Sequence, residues 1–303
     1  MSTNRRRFLV TSSMALAGSA LGRFRLLAGQ PAQSPPATAF TDLRGQVGLF
    51  TGRGGTIGWF VSPDGVVVID SQFPDTAAIC LEGLNQRSSK RPIDVLFNTH
   101  HHGDHTAGNI TFKPVTKKIV AHVKVPELQK AATKPGAEAA QAYADTTFAE
   151  SWSATLGRET VHARHLGPAH TGGDSVIFFE QANVVHMGDL VFNRLHPYID
   201  KAAGASIAGW ITVLERVVKG HEADTLFIFG HAKEGWKVTG DRTDLLFQRD
   251  YLSALLDYVR GQIKAGKPRE EIVKSTAELR GFPDHGPLIE RALAAAYEEL
   301  TPK

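Results

Sequence analysis

The stretch FNTHHHGDHTAGN, Phe97 to Asn109, places four histidines and one aspartate within the six positions from His100 to His105. Just upstream, PIDVLFN (92–98) is apolar, short and rich in β-formers, which predicts a buried strand ending at Asn98. The histidines therefore open a loop at the C-terminal end of a strand. If the chain stays extended for a few residues, side chains two apart share a side. On that reading His100, His102 and Asp104 converge, His101 points away, and Gly103 allows the turn that brings in His105. Neutral imidazoles and carboxylates are the donors that suit zinc and its borderline neighbours. Three of the four histidines read as ligands, and His101 as a bystander.

The pattern H-x-H-x-D-H, filled by His100, His102, Asp104 and His105, resembles the metal signature of the metallo-β-lactamase superfamily. The resemblance implies further ligands from distant loops, each following a strand, and the chain offers three in order. LGPAHTGGDS (166–175) follows a strand-like VHARHL and supplies His170; NVVHMGDLVF (183–192) supplies Asp189; TLFIFGHAKEG (225–235) supplies His231. Carried over residue by residue, His100, His102 and His170 would hold a first metal and Asp104, His105 and His231 a second, with Asp189 between them. The implied cofactors are two divalent metal ions, zinc (Zn2+) first, with iron or manganese as alternatives. The implied fold is α/β, a four-layer αββα sandwich with the metals at one edge of two mixed sheets. His122, His162, His165, His186, His196, His221 and His285 fall outside these slots and read as surface or packing residues, with His196 held open.

The chain has 303 residues, 42% apolar and 21% charged, as an ordinary globular protein has. Its net charge of +3 misleads: residues 1–30 hold five arginines and no acid, leaving −2 for the rest, so no nucleic-acid partner is expected. Arg5-Arg6-Arg7-Phe8-Leu9 followed by a weakly apolar stretch resembles a bacterial twin-arginine export signal. That resemblance implies passage through the Tat translocation machinery to the periplasm or beyond. The apolar stretch from Leu9 to Leu21 is shorter than the roughly 20 residues a bilayer span needs, so no stable membrane insertion is expected after cleavage. Cys80 is the only cysteine and lies in a predicted amphipathic helix, which reads as a buried apolar role. The expected organisation is an export segment over 1–32, a linker over 33–39, a catalytic domain over 40–240 and a helical extension over 241–303. In that extension Leu252, Leu255, Leu256, Val259 and Ile263 follow helical spacing.

The resemblance implies a hydrolase of small-molecule lactams, lactones, esters or thioesters, in which hydroxide generated between the metals attacks a carbonyl and Asp104 orients it. No serine or cysteine nucleophile stands out. Lactamases with a zinc-binding cysteine carry that thiol near the place of Asp189 and a lysine three residues on, where this chain has Phe192; both departures weaken a β-lactamase reading. Asp70, at the end of GVVVID, is expected to fix a ligand imidazole from behind. The glycine-rich TGRGGTIGWF (51–60) is expected to form a flap carrying Trp59, and RLHPYID (194–200) to line the pocket with His196 and Tyr198. Competing readings on the same fold are a phosphodiesterase or nuclease, an iron oxygenase resembling sulfur dioxygenases, and a metal-holding binding protein without turnover.

Overall fold

The computed structural model of the chain describes residues 37–302. The expected export segment and the linker residues before position 37 lie outside the described residues. Within them, seven strands form one sheet in chain order: β1 (Ala39–Asp42), β2 (Val47–Thr51), β3 (Ile57–Val61), β4 (Val66–Ile69), β5 (Val95–Asn98), β6 (Ile119–His122) and β7 (Thr146–Phe148). The first four make an antiparallel meander, and β4 through β7 are parallel. The later strands are β8 (Ser151–Leu156), β9 (Glu159–Arg164), β10 (Val176–Phe179), β11 (Val184–His186), β12 (Phe192–Asn193), β13 (Leu226–Ile228), β14 (His231–Ala232) and β15 (Thr239–Gly240). Six of them form a second mixed sheet in the order β15-β13-β11-β10-β9-β8, while β12 pairs with β14 alone.

Alternation along each strand decides which layer a side chain serves. Val67 and Ile69 of β4 and Phe97 of β5 turn inward and pack on Val161, Ile177 and Phe179 of the second sheet. Val66, Val68 and Leu96 turn outward beneath helix α1 (Pro74–Ser88), which offers Ala77, Cys80 and Leu84. With both faces covered, these strands read as continuous apolar runs, VVVI and VLFN, instead of alternating ones. Short helices α2 (Gly103–Thr106), α3 (Asn109–Phe112) and α4 (Lys124–Ala132) complete that side. The outer face of the second sheet is covered by α5 (Ile207–Gly220) and α6 (Arg242–Lys264), and α7 (Arg269–Val273) and α8 (Glu290–Leu300) join the same apolar cluster. The result is the αββα sandwich with added C-terminal helices.

Helix α6 starts where Asp241 accepts from the Thr243 amide and Asp244 closes a capping box. Leu252, Leu255, Leu256 and Val259 are buried against α5, and Ile263 is half-buried at the margin of the cluster. Trp59 is not on a flap. It sits within β3, 4% exposed, packed beneath α1, and its cross-strand partner Gly48 leaves the room its indole occupies, since a Cβ there would fall 2.1 Å from the ring. The register of β3 alternates Ile57 and Trp59 toward the helix and Phe60 toward the second sheet, so the indole faces away from the histidines. Among the described residues no helix is long and apolar enough to cross a membrane.

Candidate metal centre

Each expected donor follows a strand end. The segment after β5 carries Thr99 to His102, α2 carries Asp104 and His105, the loop after β9 carries His170, the turn after β11 carries Asp189, and β14 begins at His231. The chain does not stay extended past His102, because that residue is the N-cap of α2. Asp104 is thereby rotated away from His100 and His102 and joins His105, which corrects the alternating-side reading.

The seven side chains fall into two adjoining groups, His100–His102–His170–Asp189 and Asp104–His105–His231. Tetrahedral zinc with bonds of about 2.0–2.1 Å holds its ligand atoms about 3.3–3.4 Å apart. In the first group His102 Nδ1 lies 3.1 Å from His100 Nε2 and 2.9 Å from His170 Nε2, and Asp189 Oδ2 lies 3.8 and 3.6 Å from those two nitrogens. In the second, His105 Nε2, His231 Nε2 and Asp104 Oδ2 stand 3.1 to 3.6 Å apart. Asp189 Oδ1 is 3.0 Å from His105 Nε2 and 3.3 Å from His231 Nε2, so its two oxygens face different groups. Oδ1 is buried and makes no well-formed hydrogen bond, a deficit that a cation would relieve. Both groups fit a divalent metal in donor type and in spacing.

On His100, His102, His105 and His170 the nitrogen facing away from the groups is tied down, as it is for metal-binding histidines. His170 Nδ1–H donates to the Tyr198 carbonyl at 2.6 Å, leaving Nε2 bare. His105 Nδ1 meets Asp70 at 2.7 Å. His100 Nδ1 contacts Thr99 Oγ1 at 3.0 Å, and that hydroxyl donates onward to Asp70 at 2.8 Å. Asp70 is fully buried, sits at φ 63 and also accepts from the Thr99 amide, so one strained residue after β4 orients both groups. The glycine-rich hairpin is bound in place, not a free flap: its Gly55 amide donates to the Asp104 carbonyl at 3.1 Å. A Cβ on Gly55 would fall 2.1 Å from the His105 ring, so only glycine lets the hairpin pass.

Sequence reasoning missed Asp200, whose Oδ2 accepts from His102 Nε2 at 2.9 Å, and it misread His101. His101 is 5% exposed and does not point away from its neighbours: its ring lies 4.4 Å from that of His102, with Nε2 3.7 Å from the same Asp200 oxygen. Asp200 stands in RLHPYID with no local signal, because its partner is 98 residues away. Although His101, His102 and Asp200 also form a group of metal-like spacing, His102 is shared with the first group. Asp200→Ala is expected to cost 10–100-fold, roughly, in metal affinity, whereas His101→Ala, removing no expected ligand, costs less than about tenfold. Metal titration of the two variants checks the order.

Tyr198 is exposed beside a cavity of about 720 Å³ that opens over Asp104, Asp189 and His231, and His196 lines it too. His196 is also structural, accepting from the Tyr251 hydroxyl at 2.6 Å and donating to the Pro287 carbonyl at 2.9 Å. Phe192 stacks on His231 at 5.3 Å between ring centres.

Burial opposes charge on His100, His105, His170 and His231. It prevails at His100, held well below the usual imidazole range, and at His170, pushed down to about 3. At His105 and His231 burial is outweighed by carboxylates: Asp189, Asp70 and Asp104 raise His105 well above its ordinary value, and Asp189 with Asp104 raises His231 to about 9. Burial is likewise outweighed at Asp104, which His105 and His231 lower to about 2. A histidine must be neutral to ligate. Metal uptake by the metal-free chain at pH 7 is therefore expected to release one proton each from His105 and His231 and none from His100 or His170, with second-group affinity rising toward pH 9. The raised value means that His231 stabilises the metal-free fold fully below an ordinary imidazole pKa of about 6.5 and loses that contribution as pH climbs through about 9. Calorimetric titrations in buffers of different protonation enthalpy count the protons, and uptake without release would contradict the assignment.

A family model described as the metallo-beta-lactamase superfamily matches residues 50–233, a span that contains all seven donors. The chain belongs to this superfamily. Its members are metal-dependent hydrolases, and the two donor groups are where such a fold would hold its metals. The match to the 2,4-dinitroanisole O-demethylase subunit alpha of Nocardioides sp. (strain JS1661) is 25% identical over 130 residues, 42% of this chain but only 38% of that protein's length. The type 2 metallo-beta-lactamase of Bacillus cereus is 28% identical over 189 residues, 62% of this chain and 69% of its own length. Among solved structures, a metallo-beta-lactamase from Pontibacter korlensis superposes with a TM-score of 0.59 at 19% identity, covering 72% of this chain and 99% of its own. A double mutant of the sec-alkyl sulfatase PisA1 superposes with a TM-score of 0.67 at 17% identity, covering 87% of this chain and 50% of its own. These structural likenesses concern the fold.

Proposed function

We propose that this superfamily member is an exported dinuclear zinc hydrolase that opens lactam, lactone, ester or thioester bonds. The observation that carries the reading is the position of Asp189, whose two oxygens face two donor groups of tetrahedral spacing. A bound pair of divalent ions lowers the pKa of water from 15.7 toward about 7 and polarises the group under attack. The protein's own part is orientation. Asp104, ionised and partly exposed to the cavity, accepts a hydrogen bond from the attacking water and aims it, while Phe192, Leu195 and Tyr198 give the bound substrate an apolar wall. Phe192 supplies no cation where lactamases with a zinc-binding cysteine carry a lysine, which favours substrates other than β-lactams. Metal analysis and a turnover screen of the mature protein test the reading together. Two ions per chain and hydrolysis of an acyl lactone, thioester or chromogenic cephalosporin are expected. Phosphodiesters, an alkyl sulfate and a nitroaryl methyl ether belong in the screen, the last two because of the reactions named for the sulfatase and the Nocardioides relative. Oxygen uptake would favour the oxygenase reading, and metal binding without turnover the binding protein. Changing Arg5, Arg6 and Arg7 together to Lys should leave the protein in the cytoplasm; unchanged export in fractionation would remove the twin-arginine reading.

A further inference from the structure

We propose that Arg291 selects substrates that carry a carboxylate remote from the bond to be cut, a proposal that rests on the hydrolase reading above. The cavity over the two donor groups has an acidic and imidazole floor, an apolar wall of Phe192, Leu195 and Tyr198, and one full cation on its rim, Arg291 from the first turn of α8. The other cations nearby are engaged. Arg194 pairs with Asp244 at 3.5 Å and Asp284 at 3.8 Å, Lys201 pairs with Glu299, and Lys233 donates to the Asp284 carbonyl. Among the described residues Arg291 has no carboxylate partner; its guanidinium carbon stands 5.7 Å from the Tyr198 ring centre, and the side chain borders the cavity.

The fold holds the start of α8, which carries the exposed Arg291 side chain, against the cavity wall through His196. One ring nitrogen accepts from Tyr251 of α6 and the other donates to the Pro287 carbonyl, so the cavity wall is tied to the segment that leads into α8. Tyr198 then sets the reach. Its ring centre lies 5.4 Å from that of His102 and 5.7 Å from the Arg291 guanidinium carbon, which bounds the span from the His102 ring to the cation at about 11 Å. A molecule filling that span has its reacting group at the donor side chains, an apolar body along Tyr198 and Leu195, and a planar anion at the rim. A guanidinium fork meets a carboxylate with two parallel hydrogen bonds, a geometry that lysine does not reproduce.

The test uses the metal-loaded protein and two linear probes with no bond to hydrolyse, suberate and 8-hydroxyoctanoate, which share one free carboxylate for the metal end and differ in the distal charge. Calorimetry or competitive inhibition should show suberate bound about tenfold more tightly by the wild type, at the lower end expected for a charge-assisted contact because the site is open to salt. The preference should vanish in Arg291→Ala and return in part in Arg291→Lys. With a turnover substrate in matched forms, with and without a distal carboxylate, Arg291→Ala should raise KM about tenfold for the anionic form only, with kcat within about twofold. An undiminished suberate preference in Arg291→Ala, or an equal loss for both probes, overturns the proposal. Because the probe comparison needs no reaction, failure of the hydrolase reading would show as absent turnover with the suberate preference intact.

Discussion

Asp189→Ala is expected to lower turnover at least about 100-fold and to reduce bound metal from the proposed two ions per chain to one or none. The size follows from position. Asp189 Oδ2 faces His100 and His170 while Oδ1 faces His105 and His231, so one truncation removes a donor from both groups and exposes two cations to each other's repulsion. The same carboxylate holds His105 and His231 protonated in the metal-free chain, so the variant should also lose much of the proton release that accompanies second-group uptake. Metal content and kcat on any substrate from the screen decide the matter. A variant that keeps both ions and full rate would place the bridge elsewhere.

Trp210→Ala should destabilise the fold by about 3–5 kcal/mol, the usual loss for a buried aromatic whose cavity cannot collapse. Trp210 is fully buried in α5, packed in the cluster that joins the second sheet to α6, and its Nε1–H donates to the Leu190 carbonyl at 2.9 Å. Leu190 follows Asp189 directly, and the indole lies 5.5 Å from the His170 ring, so the same side chain backs two expected donors. Trp210→Phe keeps most of the packing but leaves a buried carbonyl unpaired, which should cost about 1–3 kcal/mol. Denaturant midpoints at fixed metal concentration measure both. A loss under about 1 kcal/mol for the alanine variant would mean that α5 is not the support inferred here.

The periodicities were enough for the layers. Strands covered on both faces show as VVVI and VLFN, and α6 shows in its leucine spacing, because burial on two faces or on one stripe leaves a local mark in sequence. Trp59 was misplaced because Gly and aromatic residues in TGRGGTIGWF read equally well as a turn and as a strand; only the pairing register with Gly48 turned the indole under α1.

The donor types and their order along the chain were set by the sequence alone, since H-x-H-x-D-H and three strand-ending Gly-His, Gly-Asp and Pro-Ala-His segments are local features. What tertiary structure decided was the local geometry that brings the donors together, and their support. Helix α2 starting at Gly103 swung Asp104 to the second group, and β5 and the loop after Tyr198 put Asp200 against His102 and beside His101. Arg291 reached the cavity rim because His196 ties the start of α8 to the wall. A hydrogen bond or an ion pair between residues far apart in the chain leaves no periodicity in either segment, since it depends only on the distance that the packed layers impose.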